Sequence, residues 1–315
     1  MAKVVITTCL PEGQPSWRLG LAAHTLVEPT EGGWPRARWL AELATADALV
    51  CLLHDRVDAE ALAAGPRLRV VANYAVGVDN IDLAAAAARG VVVANTPDVL
   101  TDATADFTWA LLLAAARRLG EGERLVRAGG WAGWSPTLLL GAELAGRTLG
   151  VVGLGRIGRA VARRAAGFGM RVIATGRRPT AADGVEVVGL DQLLAEADVV
   201  SLHCPLTPAT RHLIDAAALA RMRPGAILVN TARGGCIDDD AVAAALERGH
   251  LGGAGLDVFT HEPAIAPRLA AAPRIVLAPH LGSATTTARV RMAELCMTAV
   301  ADVLAGREPS NRVRP

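Results

Sequence analysis

Two series of short apolar runs alternate with alanine- and leucine-rich segments of helical period along this chain. Such alternation is typical of β-α-β units built around a parallel sheet. The first series predicts strands at 3–7, 48–53, 69–73 and 91–94. The second restarts at residue 149 and predicts strands at 149–152, 171–175, 198–203, 226–230, 255–258 and 275–278. The chain is therefore predicted to be an α/β protein with two doubly wound parallel sheets.

Composition narrows the class of protein further. The 315 residues are 52% hydrophobic and 20% charged, which is enough apolar material for two cores. The net charge is +1 and neither sign forms a long block, so we expect a small-molecule partner and neither nucleic acid nor membrane. The five cysteines form no CxxC pair, so no metal site or disulfide framework is predicted. With no signal-peptide pattern, the expected location is cytoplasmic.

A glycine motif, GLGRIG at 153–158, directly follows a predicted strand and opens a predicted helix. In this context Gly153 permits a tight turn, Gly155 lets the backbone approach a pyrophosphate, and Gly158 lets the helix pack closely on the strand. The helix N-terminus then faces the anion, so the turn predicts a dinucleotide site. The residues expected to line it are Gly153, Leu154, Gly155, Arg156, Ile157 and Gly158.

The order of the segments predicts that one domain is interrupted by the other. A helical pattern at 102–118 lies between the two series, and an apolar-periodic segment at 284–304 follows the last strand. That segment can return to pack on the first domain. We therefore expect two Rossmann-like domains, a discontinuous substrate-binding domain of residues 1–100 and 287–315 and a dinucleotide-binding domain of residues 101–286.

The end of the second strand of the dinucleotide domain predicts which nucleotide is preferred. A domain selective for NAD places Asp or Glu there, about 20 residues after the glycines. This chain instead has Thr175, Gly176, Arg177 and Arg178. Because two guanidinium groups suit the 2′-phosphate of NADP, NADPH is predicted to be preferred and NADH is the alternative. A solvated basic turn is the other interpretation of these residues.

Three charged side chains, Arg233, Glu262 and His280, follow later strands of the same predicted sheet. Ligands of open α/β sheets bind outside the carboxyl ends of the strands, so we expect the three side chains to share a site. Arg233 can hold a carboxylate and the adjoining carbonyl oxygen through its planar fork. His280 can deliver a proton near neutral pH, and Glu262 can orient the imidazole. These groups suit reduction of a 2-keto acid by hydride transfer.

Several motifs together resemble the D-isomer-specific 2-hydroxyacid dehydrogenase family, over nearly the whole chain. They are GLGRIG at 153–158, NTARGG at 230–235, DVFTHEP at 257–263 and PHLGSAT at 279–285. In the N-terminal half, NYAVGVDN at 73–80, NTPDVLTDATAD at 95–106 and GGWAGWSP at 129–136 are similar to the glyoxylate/hydroxypyruvate reductase branch. The resemblance implies that Arg233, Glu262 and His280 are catalytic, and that glyoxylate or hydroxypyruvate is reduced to glycolate or D-glycerate.

The same resemblance implies further roles for individual residues. The additional residues expected to bind the cofactor are Thr104, His203, Pro205, Thr210, Thr231, Asp257 and Gly282. Those expected to bind substrate are Leu53, Val76, Gly77 and Trp134, together with Arg233 and His280. It also implies a homodimer in which the stretch around Trp131 and Trp134 reaches the active site of the partner.

Other functions and other residues compete with these assignments. Another D-2-hydroxyacid dehydrogenase, acting on phosphoglycerate, gluconate-type or lactate-type acids, is the alternative activity, and a non-catalytic dinucleotide-sensing scaffold is the alternative class. Asp238 and its two acidic neighbours are predicted to cap a helix rather than bind metal. His261 is the rival to His280, but adjacent residues in extended chain point oppositely, so Glu262 does not readily orient it. Cys204 and Cys236 are assigned no chemistry.

Overall fold

The computed structural model describes residues 1–176 and 184–314. The chain divides into two compact units, one of Met1–Leu100 with Ala284–Pro315 and one of Thr101–Ser283. Each unit contains one parallel β-sheet, of five and seven strands respectively. The prediction of an α/β fold with two parallel-sheet domains is therefore confirmed.

The strands and helices alternate along both units. The strands are β1 Lys3–Ile6, β2 Thr25–Val27, β3 Ala48–Cys51, β4 Val70–Asn73, β5 Val92–Ala94, β6 Thr148–Val152, β7 Arg171–Thr175, β8 Val185–Val187, β9 Val199–Leu202, β10 Ala226–Asn230, β11 Leu251–Leu256 and β12 Ile275–Leu277. The helices are α1 Arg36–Leu43, α2 Ala59–Ala64, α3 Leu83–Ala88, α4 Thr101–Ala116, α5 Leu119–Arg127, α6 Arg156–Ala165, α7 Leu190–Glu196, α8 Ala216–Arg221, α9 Asp239–Glu247, α10 Pro267–Ala271 and α11 Thr286–Leu304. None of the helices in the described residues has the length and apolar character needed to cross a bilayer.

The first unit is built on a sheet with the strand order β2-β1-β3-β4-β5. Its central strands β1, β3 and β4 are apolar and buried almost throughout, as expected for a parallel sheet covered on both faces. Helix α11 belongs to this unit although it follows the last strand of the other one. The hydroxyl of Tyr74 donates a hydrogen bond to the carbonyl oxygen of Arg289 in α11, at 2.6 Å. This bond fixes the helix next to the carboxyl end of β4.

The second unit is built on a sheet with the strand order β12-β11-β10-β9-β6-β7-β8. The chain runs outward from β6 through β7 and β8, and then continues on the opposite side of β6 with β9. The strand order therefore reverses between β6 and β9. In open α/β sheets the crevice at the carboxyl ends of such a pair is where ligands bind.

The sequence analysis misplaced one strand and missed several short elements. Strand β11 spans Leu251–Leu256, whereas the prediction was 255–258. A Cβ built at Gly252 would lie 2.4 Å from the carbonyl oxygen of Gly225, and one at Gly255 would lie 3.0 Å from Cβ of Leu111 in α4. Close packing thus requires glycines that weaken the strand signal. The strands β2 and β8, which are short edge strands of three residues, were not predicted. The helices that were not predicted are α1, α5, α7, α8 and α10.

Candidate active site

The glycine motif forms the turn between β6 and α6. Gly153 has φ 99°, and a Cβ there would lie 2.7 Å from the backbone nitrogen of Cys204. A Cβ at Gly158 would lie 2.1 Å from the carbonyl oxygen of Gly153, so helix and turn touch. At Gly155, no atom of the described residues, apart from its two chain neighbours, lies within 4 Å of the Cβ position. The first and third glycines are thus required by the fold itself, whereas the second faces open space.

This turn suits a dinucleotide phosphate. Gly155 precedes the first turn of α6, whose amides receive no capping side chain. Amides at a helix N-terminus attract anions, and the absence of a Cβ at Gly155 allows a phosphate to approach the backbone. Leu154, Arg156 and Ile157 complete the turn and begin α6. The residues present therefore fit the pyrophosphate of a dinucleotide.

The end of β7 lies against the same turn. The amide of Gly153 donates to the carbonyl oxygen of Thr175, at 2.8 Å, and a Cβ at Gly176 would lie 3.7 Å from the backbone nitrogen of Leu154. Thr175 and Gly176 are thus placed where a domain of this type holds the adenosine ribose. Arg177 and Arg178 lie outside the described residues, and the preference for NADPH stays a prediction.

A second group of predicted cofactor residues meets near the carboxyl end of β11. The carboxylate of Asp257 accepts hydrogen bonds from the amides of Leu281, at 2.6 Å, and Gly282, at 2.8 Å. A Cβ at Gly282 would lie 3.3 Å from Cγ2 of Thr104 and 3.2 Å from Oδ2 of Asp257. Burial raises the pKa of Asp257, although the two amide hydrogen bonds act in the opposite direction. The structure thus brings Thr104, Asp257 and Gly282 together.

Thr231 joins this group through a residue that the sequence analysis missed. The hydroxyl oxygens of Thr231 and Thr108 are 2.9 Å apart. The hydroxyl of Thr108, which lies one helical turn after Thr104 in α4, donates to the carbonyl oxygen of Thr104 at 2.8 Å. The signal available in the sequence was a second threonine four residues after Thr104, which places both on the same face of a largely apolar helix.

Three residues after β9 are predicted to bind the cofactor, and they lie in two different places. His203 lies beside the glycine turn, because a Cβ at Gly153 would also lie 2.7 Å from the His203 carbonyl carbon. Its Nε2 is 2.8 Å from Oγ of Ser201, and burial lowers the pKa of His203 to about 3, so the ring is neutral. Pro205 and Thr210 instead hold the loop that follows, where the Thr210 hydroxyl donates to the Pro205 carbonyl oxygen at 2.6 Å.

His280 and Glu262 are in direct contact. Nδ1 of His280 lies 2.8 Å from Oε2 of Glu262, and the two side chains are 25% and 27% exposed. The other carboxylate oxygen of Glu262 accepts from the amide of Phe259, at 3.0 Å. Burial acts to raise the pKa of Glu262, but the hydrogen bond and charge of His280, with the Phe259 amide, outweigh it and hold the pKa below its ordinary value. The carboxylate is therefore charged at neutral pH.

Arg233 is held close to this pair by its loop. The side chain of Asn230 accepts from the amide of Ala232, at 3.0 Å, and donates to the carbonyl oxygen of Arg233, at 2.9 Å. A Cβ at Gly234 would lie 1.9 Å from the carbonyl carbon of Phe259, so the two loops touch through their backbones. The positive charge of Arg233 also contributes to lowering the pKa of Glu262. The three predicted catalytic residues therefore lie on adjoining loops after β10, β11 and β12.

The predicted substrate residues of the first unit lie on two loops, after β3 and β4. Leu53 lies on the first loop, and Val76 and Gly77 lie on the second. The carbonyl oxygens of Val76 and Gly77 accept hydrogen bonds from asparagine side chains, at 2.7 Å each. With these carbonyls engaged by Asn95 and Asn73, the loop has a fixed conformation.

The remaining substrate candidate, Trp134, lies on an exposed apolar segment. Within residues 119–140, which we term the α5 segment, Leu119 is 64% exposed, Val126 60%, Trp131 56%, Trp134 83% and Leu140 64%. Helix α5 buries none of its residues. Large apolar side chains exposed together are typical of an association surface.

Two alternatives from the sequence are weakened by the structure. Asp238 accepts a hydrogen bond from the amide of Ala241, at 3.0 Å, and so caps α9 as predicted. His261 is exposed and lies near Asp239 on the adjoining helix. Nowhere in residues 1–176 and 184–314 do three or more His, Cys, Asp or Glu side chains form a group that could hold a metal ion.

Comparison with known proteins agrees with this arrangement. Residues 109–282 match the family model described as D-isomer specific 2-hydroxyacid dehydrogenase, NAD binding domain. The protein is therefore an oxidoreductase that uses a nicotinamide dinucleotide. It belongs to the D-isomer-specific 2-hydroxyacid dehydrogenase family, and the predicted family resemblance is confirmed.

Similar proteins cover almost the entire chain. A glyoxylate reductase of Thermococcus kodakarensis is 49% identical over 303 residues, which are 93% of this chain and 90% of the relative. A crystal structure of a Thermus thermophilus protein superimposes with a TM-score of 0.93 at 48% identity, covering 99% of this chain and all of the other. The NADPH-dependent glyoxylate/hydroxypyruvate reductase of Sinorhizobium meliloti, solved with NADP and malonate, has a TM-score of 0.88 at 32% identity, covering 99% and 96%.

Proposed function

We propose that this protein is an NADPH-preferring reductase of small 2-keto acids, which converts glyoxylate to glycolate or hydroxypyruvate to D-glycerate. The observation that carries the proposal is the 2.8 Å contact between His280 and Glu262, on the same sheet that carries the glycine turn. The activities named for the similar Thermococcus and Sinorhizobium proteins support this choice of substrate.

His280 is the proton donor in this proposal. Because Nδ1 is engaged by the Glu262 carboxylate, Nε2 is the ring nitrogen left to face a substrate oxygen. The hydrogen bond to the Glu262 carboxylate fixes the orientation of the ring. When bound, the reduced dinucleotide supplies the hydride. His280 then delivers its proton to the oxygen of the carbonyl being reduced, so that a hydroxyl forms.

Arg233 orients the substrate in this proposal. The planar guanidinium of Arg233 can pair with both the carboxylate and the keto oxygen, and it polarises the carbonyl toward hydride attack. In this proposal the backbone amides around Val76 and Gly77 bind the carboxylate, and the hydrogen bonds to the carbonyl groups of both residues hold their loop in place. Leu53 lines the pocket. The role of Arg233 follows from its residue type and its place after a strand, whereas the roles of Val76, Gly77 and Leu53 are those that the family resemblance implies.

The deciding experiment compares two histidines. His280→Ala is expected to lower kcat for glyoxylate by about 100-fold or more, the usual contribution of a positioned acid. The dissociation constant for NADPH should stay within about twofold, because the glycine turn is unchanged. His261→Ala, on an exposed neighbouring residue, is the matched control and should retain activity. Full turnover in His280→Ala, or equal losses in both variants, would contradict the assignment.

The cofactor preference has its own test. Thr175 and Gly176 offer no carboxylate to a ribose diol, and the sequence places Arg177 and Arg178 next. Replacing both arginines by glutamine should raise the KM for NADPH strongly and leave that for NADH almost unchanged, because only NADPH has the 2′-phosphate. Equal effects on the two nucleotides would contradict the proposed preference.

The proposal includes a homodimer formed through the α5 segment. Its exposed side chains would be buried by a second copy of the chain, with Trp134 extending toward the active site of the partner. A Trp131→Ser, Trp134→Ser double variant should be monomeric in light scattering. Leu19→Ser changes a side chain that is 70% exposed in the first unit and should stay dimeric. A monomeric wild type would contradict the proposal.

A further inference from the structure

The hydroxyl groups of Thr108 and Thr231 form a hydrogen bond whose direction can be worked out. Thr108 lies in α4 and is 1% exposed, and its oxygen is 2.9 Å from that of Thr231, in the loop after β10. The Thr108 oxygen is also 2.8 Å from the carbonyl oxygen of Thr104. Both distances are normal for O–H···O hydrogen bonds, and each needs a proton.

Only one assignment of protons satisfies both bonds. A carbonyl oxygen cannot donate, and a threonine hydroxyl has a single proton. The proton of Thr108 therefore points at the Thr104 carbonyl, and Thr231 must donate to Thr108. Because the Thr231 proton is then used, its oxygen has only lone pairs to offer to any other group.

Thr231 presents these lone pairs near the group of predicted cofactor residues. The amide of Asp257 donates to the carbonyl oxygen of Asn230, at 3.0 Å, so the loops that begin with Thr231 and Asp257 leave the sheet side by side. Arg233 follows two residues after Thr231. An acceptor at this position suits a ligand that brings an N–H or O–H group.

We propose that Thr108 is a positioning residue for the dinucleotide, which holds the Thr231 hydroxyl as an acceptor for an N–H or O–H donor of the bound nucleotide. This inference rests on the dinucleotide-dependent function proposed above. Thr108 acts through Thr231 and touches no reacting atom. The nucleotide has two sources of such a donor, the carboxamide NH₂ of the nicotinamide and the ribose hydroxyls.

The first test is the dissociation constant of NADPH, measured by titration calorimetry on the purified protein without substrate. Thr108→Val keeps the shape and removes the hydroxyl, so binding should weaken by about fivefold to tenfold, the effect of one hydrogen bond. Thr108→Ser should bind as the wild type does. Thr148→Val is the control, since Thr148 is a buried threonine at the amino end of β6, away from the carboxyl edge.

A double-mutant cycle then separates positioning from packing. If Thr108 acts through Thr231, adding Thr108→Val to a Thr231→Val protein should change the dissociation constant no further. Thr108→Val proteins that lose thermal stability but keep the wild-type dissociation constant would overturn the inference, as would additive effects in the cycle. Since the readout is binding, failure to reduce any keto acid would contradict the proposed function and leave this test intact.

The 3-acetylpyridine analogue of the nucleotide identifies the donor, because its methyl ketone replaces the carboxamide and has no N–H. If the carboxamide is the donor, Thr231→Val should weaken binding of the natural nucleotide and leave binding of the analogue unchanged. If a ribose hydroxyl is the donor, both should weaken equally. An unchanged dissociation constant for both nucleotides in Thr231→Val would overturn the inference.

Discussion

Nδ1 of His280 lies 2.8 Å from Oε2 of Glu262, although 18 residues separate them along the chain. Their loops follow β12 and β11, which are neighbours in the sheet. His280 has φ 57°, in the left-handed region, where its amide donates to the carbonyl oxygen of Asp257 at 2.9 Å. The backbone is thus held in a sparsely populated conformation that points the imidazole at Glu262. Such backbone conformations occur most often at functional sites.

The contact predicts how stability depends on pH. Because the pKa of Glu262 is lower in the folded protein than its ordinary value of 4.5, the carboxylate stabilises the fold above that value and loses this contribution as the pH falls below it. Glu262→Gln should therefore be less stable than the wild type at neutral pH, by about 1 to 2 kcal/mol. The difference should shrink in acid.

Urea unfolding over a pH series measures this difference. The exposed Glu31→Gln is the control, which should match the wild type throughout. A gap between Glu262→Gln and the wild type that stays constant with pH would contradict the ion pair.

The glycine turn predicts a separation of stability from binding. Gly155→Ala places a Cβ where, among residues 1–176 and 184–314, only the chain neighbours of Gly155 lie within 4 Å, so the free energy of unfolding should not fall. The added methyl would block the phosphate, and NADPH should bind at least about tenfold more weakly, the equivalent of one lost charge-assisted hydrogen bond. Calorimetry measures the binding, and urea unfolding measures the stability.

Gly158→Ala provides the opposite case. Its Cβ would lie 2.1 Å from the carbonyl oxygen of Gly153, so it should destabilise the protein by about 3 kcal/mol. If Gly155→Ala is instead the less stable of the two variants, the glycines have been assigned to the wrong roles.

The close approach of two catalytic loops predicts a specific steric defect. A Cβ at Gly234 would lie 1.9 Å from the carbonyl carbon of Phe259, whose amide holds the Glu262 carboxylate. Gly234→Ala should therefore push the Glu262 loop away and lower kcat by about tenfold or more, with destabilisation of about 1 to 3 kcal/mol. Gly189→Ala adds a Cβ that meets no atom within 4 Å in the part of the chain that the structure describes, its chain neighbours aside, and it should retain both activity and stability. Wild-type kcat in Gly234→Ala would show that the loops tolerate displacement.

Local patterns predicted most of the fold because each is enforced by short-range chemistry. The glycine turn was found from its spacing, and the structure shows that Gly153 and Gly158 are required sterically. Strand β11 was misplaced because its glycines weaken the apolar pattern that marks a strand. The same glycines allow helix α4 to pack closely against it. Spacing alone could not show whether the loops after β10, β11 and β12 meet.

The site was harder to predict where a role depends on a partner distant in sequence. Thr108 is 123 residues from Thr231, and only the folded sheet and helix bring their hydroxyls together. Arg233, Glu262 and His280 were found because each follows a predicted strand. Thr108 lies in a helix, where a buried threonine is ordinarily a packing residue.

Two loops of the first unit are joined by one side chain, which gives the last prediction. The side-chain amide of Asn80 donates to the carbonyl oxygens of Leu52, at 3.1 Å, and Asp55, at 3.0 Å. It also lies 3.2 Å from Oδ1 of Asn73, whose own amide holds the Gly77 carbonyl at 2.7 Å. Asn80 therefore connects the Leu53 loop to the loop proposed to bind the substrate carboxylate.

Asn80→Ala leaves these carbonyl groups without their donor, which should cost about 1 to 3 kcal/mol of unfolding free energy. Because both loops would lose their relative placement, the KM for glyoxylate should rise by about tenfold, while the dissociation constant for NADPH stays unchanged. Asp47→Ala is the matched control, since Asp47 holds the amide of Lys3, at 2.8 Å, at the amino ends of the strands. It should lose stability without any change in KM. A KM that moves equally in both variants would mean that Asn80 supports the fold and not the substrate.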